Sequence, residues 1–306
     1  MKTILVTGSN GLLGQKITAA ILSGKQFNLI ATAKGINRFI GAEGYNYVEM
    51  DITNADQVRQ VIAKFKPDTI IHTAALTNVD KCQADQELAW QLNVASVKIL
   101  INICEQYPIQ LIHLSTDFIF DGANGPYDEL AAANPLSYYG KTKLEAEELL
   151  KKSTIKWAIL RTILVYGVIS DKNRSNIVLW AKNALSQGEP IKVVSDQWRM
   201  PTLAEDLANC CLLAAEKEAH GVFNVSGKDM MSVAELVYRV AEFWKLDTRL
   251  IQEVSSASLN QSAARPVRTG FNIQKAINEL GYQPHSFLQG LQLVSEQLAA
   301  QNESSK

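Results

Sequence analysis

The chain of 306 residues has only four cysteines and lacks any long hydrophobic run. Cys82, Cys104, Cys210 and Cys211 do not have the paired spacing of metal ligands, and the last three fall in apolar helical patterns typical of core positions. The apolar run after Met1 is too short for the core of a signal peptide, and no later run is long enough to span a bilayer. These absences argue against a membrane partner and predict a cytoplasmic protein.

An excess of charge of either sign is also missing. Thirty basic residues face 31 acidic ones, which leaves a formal net charge of −1. A balanced chain has no electrostatic footprint for nucleic acid or for an anionic membrane. We therefore expect a small-molecule partner and no nucleic acid. Hydrophobic residues make up 47% and charged residues 20% of the chain, which is typical of a globular protein.

Short apolar runs alternate with helical patterns through the first half of the chain. This rhythm predicts an α/β fold with a doubly wound, Rossmann-like parallel sheet, and nearly continuous apolar strands indicate that both sheet faces are covered. The predicted strands are Thr3–Thr7, Leu29–Ala33, Tyr47–Met50, Thr69–Thr73, Gln110–Ser115 and Trp157–Thr162, and the predicted helices are Gly11–Ser23, Asp56–Phe65, Asp85–Gln106 and Ser137–Lys151.

The rhythm loosens after Tyr166-Gly167, which predicts a smaller mixed α/β lobe for the substrate. We expect a dinucleotide-binding domain over 1–166 to which 202–226 return, and a substrate-binding lobe over 167–201 and 227–306. The elements predicted in this half are helices at Asn176–Ser186, Leu203–Glu216, Val233–Trp244 and Ile273–Leu280 and extended segments at Ile191–Val194 and Val222–Val225.

A glycine-rich turn follows the first predicted strand and opens a helix. Gly8 permits a tight turn, Gly11 lets a pyrophosphate approach the backbone, and Gly14 allows close packing of helix and strand. The N–H groups at the helix start attract the phosphates. The alternative is an ordinary glycine-containing loop. The predicted cofactor residues of the turn are Gly8, Asn10, Gly11, Leu12, Leu13 and Gly14.

The end of the second predicted strand lacks the carboxylate that normally holds the ribose 2′-hydroxyl of NAD. Lys34 and Arg38 stand there instead, and they could meet a 2′-phosphate. We therefore expect NADPH, with NADH as the second choice; two solvated surface cations are the alternative. Asp51, next to Ile52 after the third strand, is a candidate for the adenine edge or for the cap of the following helix.

Tyr139 and Lys143 stand four residues apart in a predicted helix. Side chains at this spacing share one face, with Cβ atoms roughly 5–6 Å apart. An ammonium beside a phenol favours the phenolate, so we expect the pKa of Tyr139 to lie below its ordinary value of about 10. Such a phenol can exchange a proton with a carbonyl or alcohol oxygen. With a dinucleotide turn, the pair predicts hydride transfer at a C–O centre.

Two hydroxyls, Ser115 and Thr116, end the fifth predicted strand. Ligands collect at the carboxyl ends of strands in doubly wound sheets, so both are candidates to bond a substrate oxygen. The alternative is a pair of polar residues that leave a strand into a turn, and Asp117 beside them could likewise be a turn residue.

These motifs resemble the extended short-chain dehydrogenase/reductase family, and within it the branch of dTDP-4-dehydrorhamnose reductases. The resemblance runs in family order over nearly the whole chain. It rests on the glycine turn, Ala74–Lys81, Ser115–Gly122, Asn134–Leu144, Arg161–Gly167, Asp196-Gln197 with Pro201-Thr202, and Arg265-Pro266.

The resemblance implies reduction of the C4 keto group of a dTDP-4-keto-6-deoxyhexose, with NADPH as cofactor. Tyr139 would protonate the oxygen, Lys143 would hold the nicotinamide ribose, and Thr116, with Ser115 as second choice, would bond the keto oxygen. A homodimer is compatible with it. The other implied residues are Ala74 and Ala75 at the cofactor and Thr77, Val79, Leu164 and Arg265 at the substrate.

Three departures from the family pattern fall on this chain. Relatives often have an aromatic residue at Leu164 and small residues at Trp198-Arg199-Met200, so the identity of the sugar stays open. Some members bind magnesium through a Glu where Lys16 stands here, so we expect no metal. Asn93 matches a residue that steadies the active-site backbone in relatives. His72 and His113, in predicted buried strands, are given no role.

Other functions on the same scaffold leave different signatures. A 4,6-dehydratase carries Glu where this chain has Phe118, and a 4-epimerase needs an acid near Ala33. A rival of another class is a non-catalytic NADP-binding regulator, similar to the regulatory subunit of methionine adenosyltransferase. The Tyr139 and Lys143 pair favours an enzyme, and turnover of a keto-sugar nucleotide distinguishes the two.

Overall fold

A computed structural model describes residues 1–39, 43–170, 175–259 and 261–304. Seven strands form a central sheet: β1 Thr3–Thr7, β2 Asn28–Ala33, β3 Asn46–Glu49, β4 Thr69–His72, β5 Gln110–Thr116, β6 Lys156–Thr162 and β11 Gly221–Asn224. All neighbouring strands are parallel, and their order is β11-β6-β5-β4-β1-β2-β3. The chain thus starts in the middle of the sheet and winds outward in both directions, as predicted.

Helices cover both faces of this sheet, as apolar strands require. Consecutive residues of β1 point to opposite faces, so Ile4 packs in one core and Leu5 in the other, and both are fully buried. The core around Ile4 is closed by α1 Leu12–Gly24 and α8 Ala204–Glu216. The core around Leu5 is closed by α2 Ala55–Phe65, α5 Ser96–Cys104 and α6 Tyr138–Lys152.

The predicted helix over 85–106 is observed, with a π-helical segment within it and a short separate helix before it. The chain forms α3 Val79–Ala84 and α4 Gln86–Trp90, then a π-helical segment Gln91–Ala95 that leads into α5. Asn78 caps α3 by accepting a hydrogen bond from the Lys81 N–H at 2.8 Å. Asp85 ends α3 and caps α4 by accepting from the Leu88 N–H at 3.0 Å. Asp85 therefore sets the start of the long helical stretch and separates it from the short helix α3.

The second lobe has its own small elements and its own core. It contains β7 Val165–Tyr166, α7 Ile177–Ser186, β8 Ile191–Val194, β9 Trp198–Arg199, β10 Thr202–Leu203, β12 Met231–Ser232, α9 Val233–Phe243, β13 Ile251–Val254 and α10 Phe287–Ser304. β8 pairs with β13 in parallel, and β9 pairs with β12 in antiparallel fashion. The predicted helix Ile273–Leu280 is a π-helical segment, Ala276–Leu280.

The chain crosses back to the sheet between these elements, because α8 packs on the sheet and β11 pairs with β6. The domain boundaries at 166, 201 and 226 stay a prediction. None of the helices in the described residues combines the length and the apolar character needed to cross a membrane.

Candidate active site

A cavity of about 760 Å³ lies where the carboxyl ends of the central strands meet the second lobe. The glycine turn forms one end of its wall, and the ends of β4 and β5 and the start of α6 form the middle. Residues of the second lobe, among them Asn176, Gln197 and Arg199, close the other end. A ligand placed here would touch both lobes.

The glycine turn is built for a close approach of backbone. Gly8 has φ +67°, in the left-handed region that favours glycine, and a Cβ there would lie 2.7 Å from the Ala74 nitrogen. A Cβ at Gly14 would lie 2.6 Å from the Cα of Ser9. Gly11, Leu12, Leu13 and Gly14 line the cavity. The turn thus has the shape that admits the diphosphate of a dinucleotide at the start of α1.

Asn10 of the turn holds the segment after β2. Its Nδ2 donates to the Ile36 carbonyl at 2.8 Å, and its Oδ1 accepts from the Arg38 N–H at 2.8 Å. The backbone of Arg38 is therefore held next to the glycine turn. Asn10 and Arg38 do not themselves line the cavity.

Lys34 is paired across the sheet edge with Asp51, its Nζ 2.7 Å from Oδ2. Partial burial of Asp51 opposes its charge, but hydrogen bonds from Lys34 and Thr53 outweigh this effect and lower its pKa to about 2. Asn54, and not Asp51, caps α2. Ile52 is buried in the core beneath. Lys34, Asp51 and Ile52 lie outside the cavity wall.

The start of α6 is pressed against the end of β5. Ser137 caps the helix by accepting from the Gly140 N–H at 3.2 Å, and a Cβ at Gly140 would overlap the Phe118 carbonyl. This close contact places Tyr139 near Thr116, whose hydroxyl acts to lower the pKa of the phenol. Tyr139 and Lys143 are both buried, and both line the cavity.

The predicted direction of the Tyr139 pKa is wrong. Burial raises it above the ordinary value, and the hydroxyl of Thr116 only partly opposes this effect. Burial also acts on the neighbour, since it lowers the pKa of Lys143 to about 8. The phenol is therefore neutral at neutral pH, which is the form that donates a proton.

The two hydroxyls at the end of β5 have different surroundings. Thr116 accepts from the Phe118 N–H at 3.2 Å and donates to Asp117 Oδ1 at 3.1 Å. Ser115 donates to Glu147 Oε1 at 2.6 Å, and Glu147 also binds Arg161 at 2.7 Å. Both hydroxyl residues line the cavity, but the Ser115 proton is engaged in the network behind it.

The segment after β4 forms the opposite wall. Ala75, Thr77 and Val79 line the cavity, whereas Ala74 lies behind them against Gly8. Asn93 fixes this segment, because its Oδ1 accepts from the Leu76 N–H at 2.8 Å and its Nδ2 donates to the Leu76 carbonyl at 3.1 Å. Asn93 belongs to the π-helical segment, a feature frequent at functional sites.

The far wall of the cavity contains two residues that were predicted from the sequence and three that were not. Leu164 lines it with φ 41°, a strained backbone conformation for leucine. Arg265 also lines it, and its Nη2 binds Asp80 Oδ2 at 2.6 Å. Asn176, Ile177 and Gln261, to which the sequence assigned no role, join them.

Arg199 was predicted only as a departure from the family, yet it lies at the junction of the lobes. Its Nε is 3.8 Å from Asp117 Oδ2, and its Nη2 donates to the Pro266 carbonyl at 2.7 Å. Burial raises the pKa of Asp117 and lowers that of Arg199, while each charge opposes the shift of the other. Thr269 also donates to Asp117.

Lys16 and His113 each contact a charged side chain. Lys16 Nζ lies 2.8 Å from Glu205 Oε1, away from the cavity wall. No group of acidic, histidine or cysteine side chains suited to a metal occurs in the described ranges. His113 Nε2 is 3.2 Å from Lys143 Nζ, a contact that no sequence pattern predicted.

The parallel sheet, the glycine turn and the buried Tyr-Lys pair beside a strand-end threonine define an extended short-chain dehydrogenase/reductase. The chain belongs to the family of the RmlD substrate binding domain, whose model matches residues 1–300.

Three comparisons specify its neighbours. A dTDP-4-dehydrorhamnose reductase of Aggregatibacter actinomycetemcomitans is 29% identical over 96% of this chain and 98% of its own. The methionine adenosyltransferase 2 subunit beta of Danio rerio is 30% identical over 87% of this chain and 81% of its own. A crystal structure of dTDP-4-dehydrorhamnose reductase from Bacillus anthracis in complex with NADP is 26% identical, with a TM-score of 0.82 over 97% of this chain and all of that one (100%).

Proposed function

We propose that this protein is an NADPH-dependent reductase of the C4 keto group of a dTDP-4-keto-6-deoxyhexose, converting dTDP-4-dehydrorhamnose to dTDP-rhamnose in the cytoplasm. The observation that carries the proposal is a neutral, buried Tyr139 beside Thr116 and Lys143, in one cavity with the glycine turn. The reductase of Aggregatibacter and the NADP complex from Bacillus support it.

The turn fits a dinucleotide, since at Gly8 and Gly14 a Cβ would fill the space between the turn and its neighbours. Gly11, Leu12 and Leu13 would hold the diphosphate, Ala75 would border the nicotinamide end, and Lys34 and Arg38 would meet a 2′-phosphate. NADPH, when bound, supplies the hydride. NADH is the second choice of cofactor.

The chain's own residues would then handle the substrate oxygen. Tyr139 donates its phenolic proton to the oxygen that forms at C4, and Thr116 holds that oxygen by a hydrogen bond. Lys143, as an ammonium, orients the nicotinamide ribose and stabilises the phenolate that Tyr139 becomes. Proton donation of this kind contributes about 10²- to 10⁴-fold to the rate.

On the substrate side, Thr77, Val79 and Leu164 would contact the sugar, and Arg265 would approach the diphosphate. Arg265 is already bound to Asp80, so it would reach the ligand as part of an ion pair with a fixed direction. Asp51, Ile52 and Ala74 are proposed to shape the cofactor site from behind. A homodimer belongs to the proposal.

The test is Tyr139→Phe with Tyr138→Phe as matched control. NADPH oxidation is followed with dTDP-4-dehydrorhamnose, and NADH is run in parallel. We expect Tyr139→Phe to lose about 10²-fold or more in kcat while NADPH binding persists. Tyr138→Phe, one residue away on the helix, should keep near-normal rates. Near-normal rates of Tyr139→Phe would refute the proton donor.

A second candidate is a non-catalytic NADP-binding regulator, favoured by the 30% identity with the subunit beta of methionine adenosyltransferase 2. It predicts cofactor binding without turnover of any keto-sugar nucleotide. It also predicts a stable complex with a methionine adenosyltransferase catalytic subunit on size-exclusion chromatography. Turnover with the wild-type chain and no complex would exclude it.

A further inference from the structure

Two imidazoles are buried side by side in the middle of the sheet, next to Lys143 of α6. His72 ends β4 and pairs in register with His113 of β5. Their rings are stacked, with centroids 5.5 Å apart and planes 23° apart. The two side chains are 2% and 1% exposed. Burial of their polar ring nitrogens destabilises the fold unless other contacts offset it.

His113 offers a lone pair to Lys143. The Nζ of Lys143 lies 3.2 Å from His113 Nε2, and an ammonium can only donate. Nε2 must therefore be the acceptor, which places the ring proton on Nδ1. Burial and the charge of Lys143 hold the pKa of His113 well below its ordinary value. The ring stays neutral, and so stays an acceptor, wherever the enzyme would work.

The back of the ring is fixed by His72. His72 Nδ1 lies 2.8 Å from Thr7 Oγ1, which also accepts from the Ala74 N–H at 3.4 Å. Thr7 and Ala74 flank Gly8, so the stack connects the glycine turn with the ammonium. His72 Nε2 and His113 Nδ1 are buried without a hydrogen-bond partner among the described residues. Buried polar atoms without a partner are uncommon in folded proteins, so both nitrogens call for an explanation.

The other charged or titratable groups around Lys143 have partners of their own or are neutral, and His113 accepts the hydrogen bond from the ammonium. Glu147, one turn on, favours the charged form but binds Arg161 at 3.0 and 2.7 Å. Burial raises the pKa of Cys82 to about 11, so that thiol is neutral. The groups that face Lys143 are Tyr139 and Glu147 from α6, Cys82 from α3, His113 from β5 and, behind it, His72 from β4.

We infer that His113 is a positioning residue: its Nε2 lone pair accepts a hydrogen bond from the Lys143 ammonium and so fixes the place of that ammonium in the cavity wall. A hydrogen bond to the charged form raises the pKa of an ammonium and opposes the effect of burial. Ribose binding and phenolate stabilisation both need the charged form. The kinetic consequence rests on the proposed function, whereas the consequence for NADPH binding does not.

The test uses three substitutions that differ in where they offer an acceptor. In His113→Gln the amide oxygen can reach the position of Nε2, whereas in His113→Asn it reaches only that of Nδ1. His113→Leu offers none. NADPH affinity, by fluorescence, and kcat/KM are measured across the pH range from neutral to alkaline, with thermal unfolding of each variant.

We expect NADPH affinity and kcat/KM to fall at the same alkaline pH in the wild type and in His113→Gln. This fall is the alkaline limb of the two pH profiles. In His113→Asn and His113→Leu the limb should move to lower pH by about one unit, because a hydrogen bond to a charged group is lost. His72→Asn, which keeps a partner for Thr7, should change stability and leave the limb in place. If His113→Leu does not fold, the comparison of Gln with Asn gives the same information.

Coincident alkaline limbs in all folded variants would overturn the inference. A wild-type chain that binds NADPH but does not turn over the keto sugar would refute the proposed function alone. In that case the NADPH-binding profiles still decide the role of His113.

Discussion

At Tyr139 two effects of opposite sign compete for the phenolic proton. A neighbouring ammonium would favour the phenolate, but burial is the largest influence on the pKa of Tyr139 and acts in the opposite direction. Burial disfavours the charged form by up to several pKa units. It also lowers the pKa of Lys143 to about 8, which reduces the charge available to help. Burial therefore decides the direction of the pKa shift, and the phenol of Tyr139 stays protonated at neutral pH.

Lys34 is a charged residue at the surface, where solvent weakens the interaction with its partner. Its ammonium is neutralised by Asp51 at 2.7 Å in an exposed pair. We expect Asp51→Asn to release this charge and to raise the preference for NADPH over NADH by about two- to fivefold, since an exposed ion pair is weakened by solvent and contributes little. The ratio of kcat/KM for the two cofactors measures this effect.

Asp56→Asn is the matched control for that change, because Asp56 is an exposed acid paired with Arg59 at 2.7 Å on α2. It should leave the cofactor ratio unchanged. An unchanged ratio in Asp51→Asn as well would mean that Lys34 does not meet the 2′-phosphate.

At the scale of elements, the first helix supplies a sharp contrast between two of its glycines. Gly14→Ala should destabilise the fold by about 1–3 kcal/mol and weaken NADPH binding, because the new Cβ would lie 2.6 Å from the Cα of Ser9 and push α1 away from the turn. Urea unfolding and NADPH titration measure the two effects.

Gly24→Ala, at the other end of α1, is the control, since no described heavy atom lies within 4 Å of its would-be Cβ. It should leave NADPH binding unchanged and alter stability by less than about 1 kcal/mol. Equal behaviour of the two variants would argue against the close approach at Gly14.

The helical region before β5 shows how side-chain caps decide where helices begin. Asn78 caps the short helix α3, and Asp85 caps the helical stretch that runs through α4 and the π-helical segment into α5. The π-helical segment Gln91–Ala95 then turns Asn93 toward Leu76 and Thr142. The irregular region thus joins the segment after β4 to α6.

At the scale of the whole molecule, buried polar contacts tie the two lobes together. Lys16 of α1 binds Glu205 of α8 and Gln297 of α10, at 2.8 and 2.6 Å. Arg199 joins Asp117 at the end of β5 to the carbonyls of Pro266 and Val267. The shape of the cavity between the lobes therefore depends on side chains other than Tyr139 and Lys143.

Arg199→Ala should cost about 3–5 kcal/mol in free energy of unfolding, because it leaves the buried Asp117 carboxylate without its cation. Adding Asp117→Asn should recover part of this loss. Arg239→Ala is the matched control: its pair with Glu235 is exposed, so less than about 1 kcal/mol is expected. Urea denaturation distinguishes these outcomes, and a loss as small as that of the control would show that the Arg199 pair does not stabilise the lobe junction.

The sheet and its cofactor turn were predictable from the sequence because their signals are local. Apolar runs, glycine positions and the four-residue spacing of Tyr139 and Lys143 each depend on a few neighbouring residues. Weaker signals failed where tertiary contacts compete with them, as in the short strands β9, β12 and β13 of the second lobe.

By itself, the sequence determined the doubly wound fold, the family and the residues expected to carry the chemistry. Only the tertiary structure decided the protonation of Tyr139, the neutralisation of Lys34 by Asp51, and the contacts of His113 and Arg199. The physical reason is that burial and pairing of charges arise between residues far apart in the chain. Thirty residues separate His113 from Lys143, and no local pattern records that they meet.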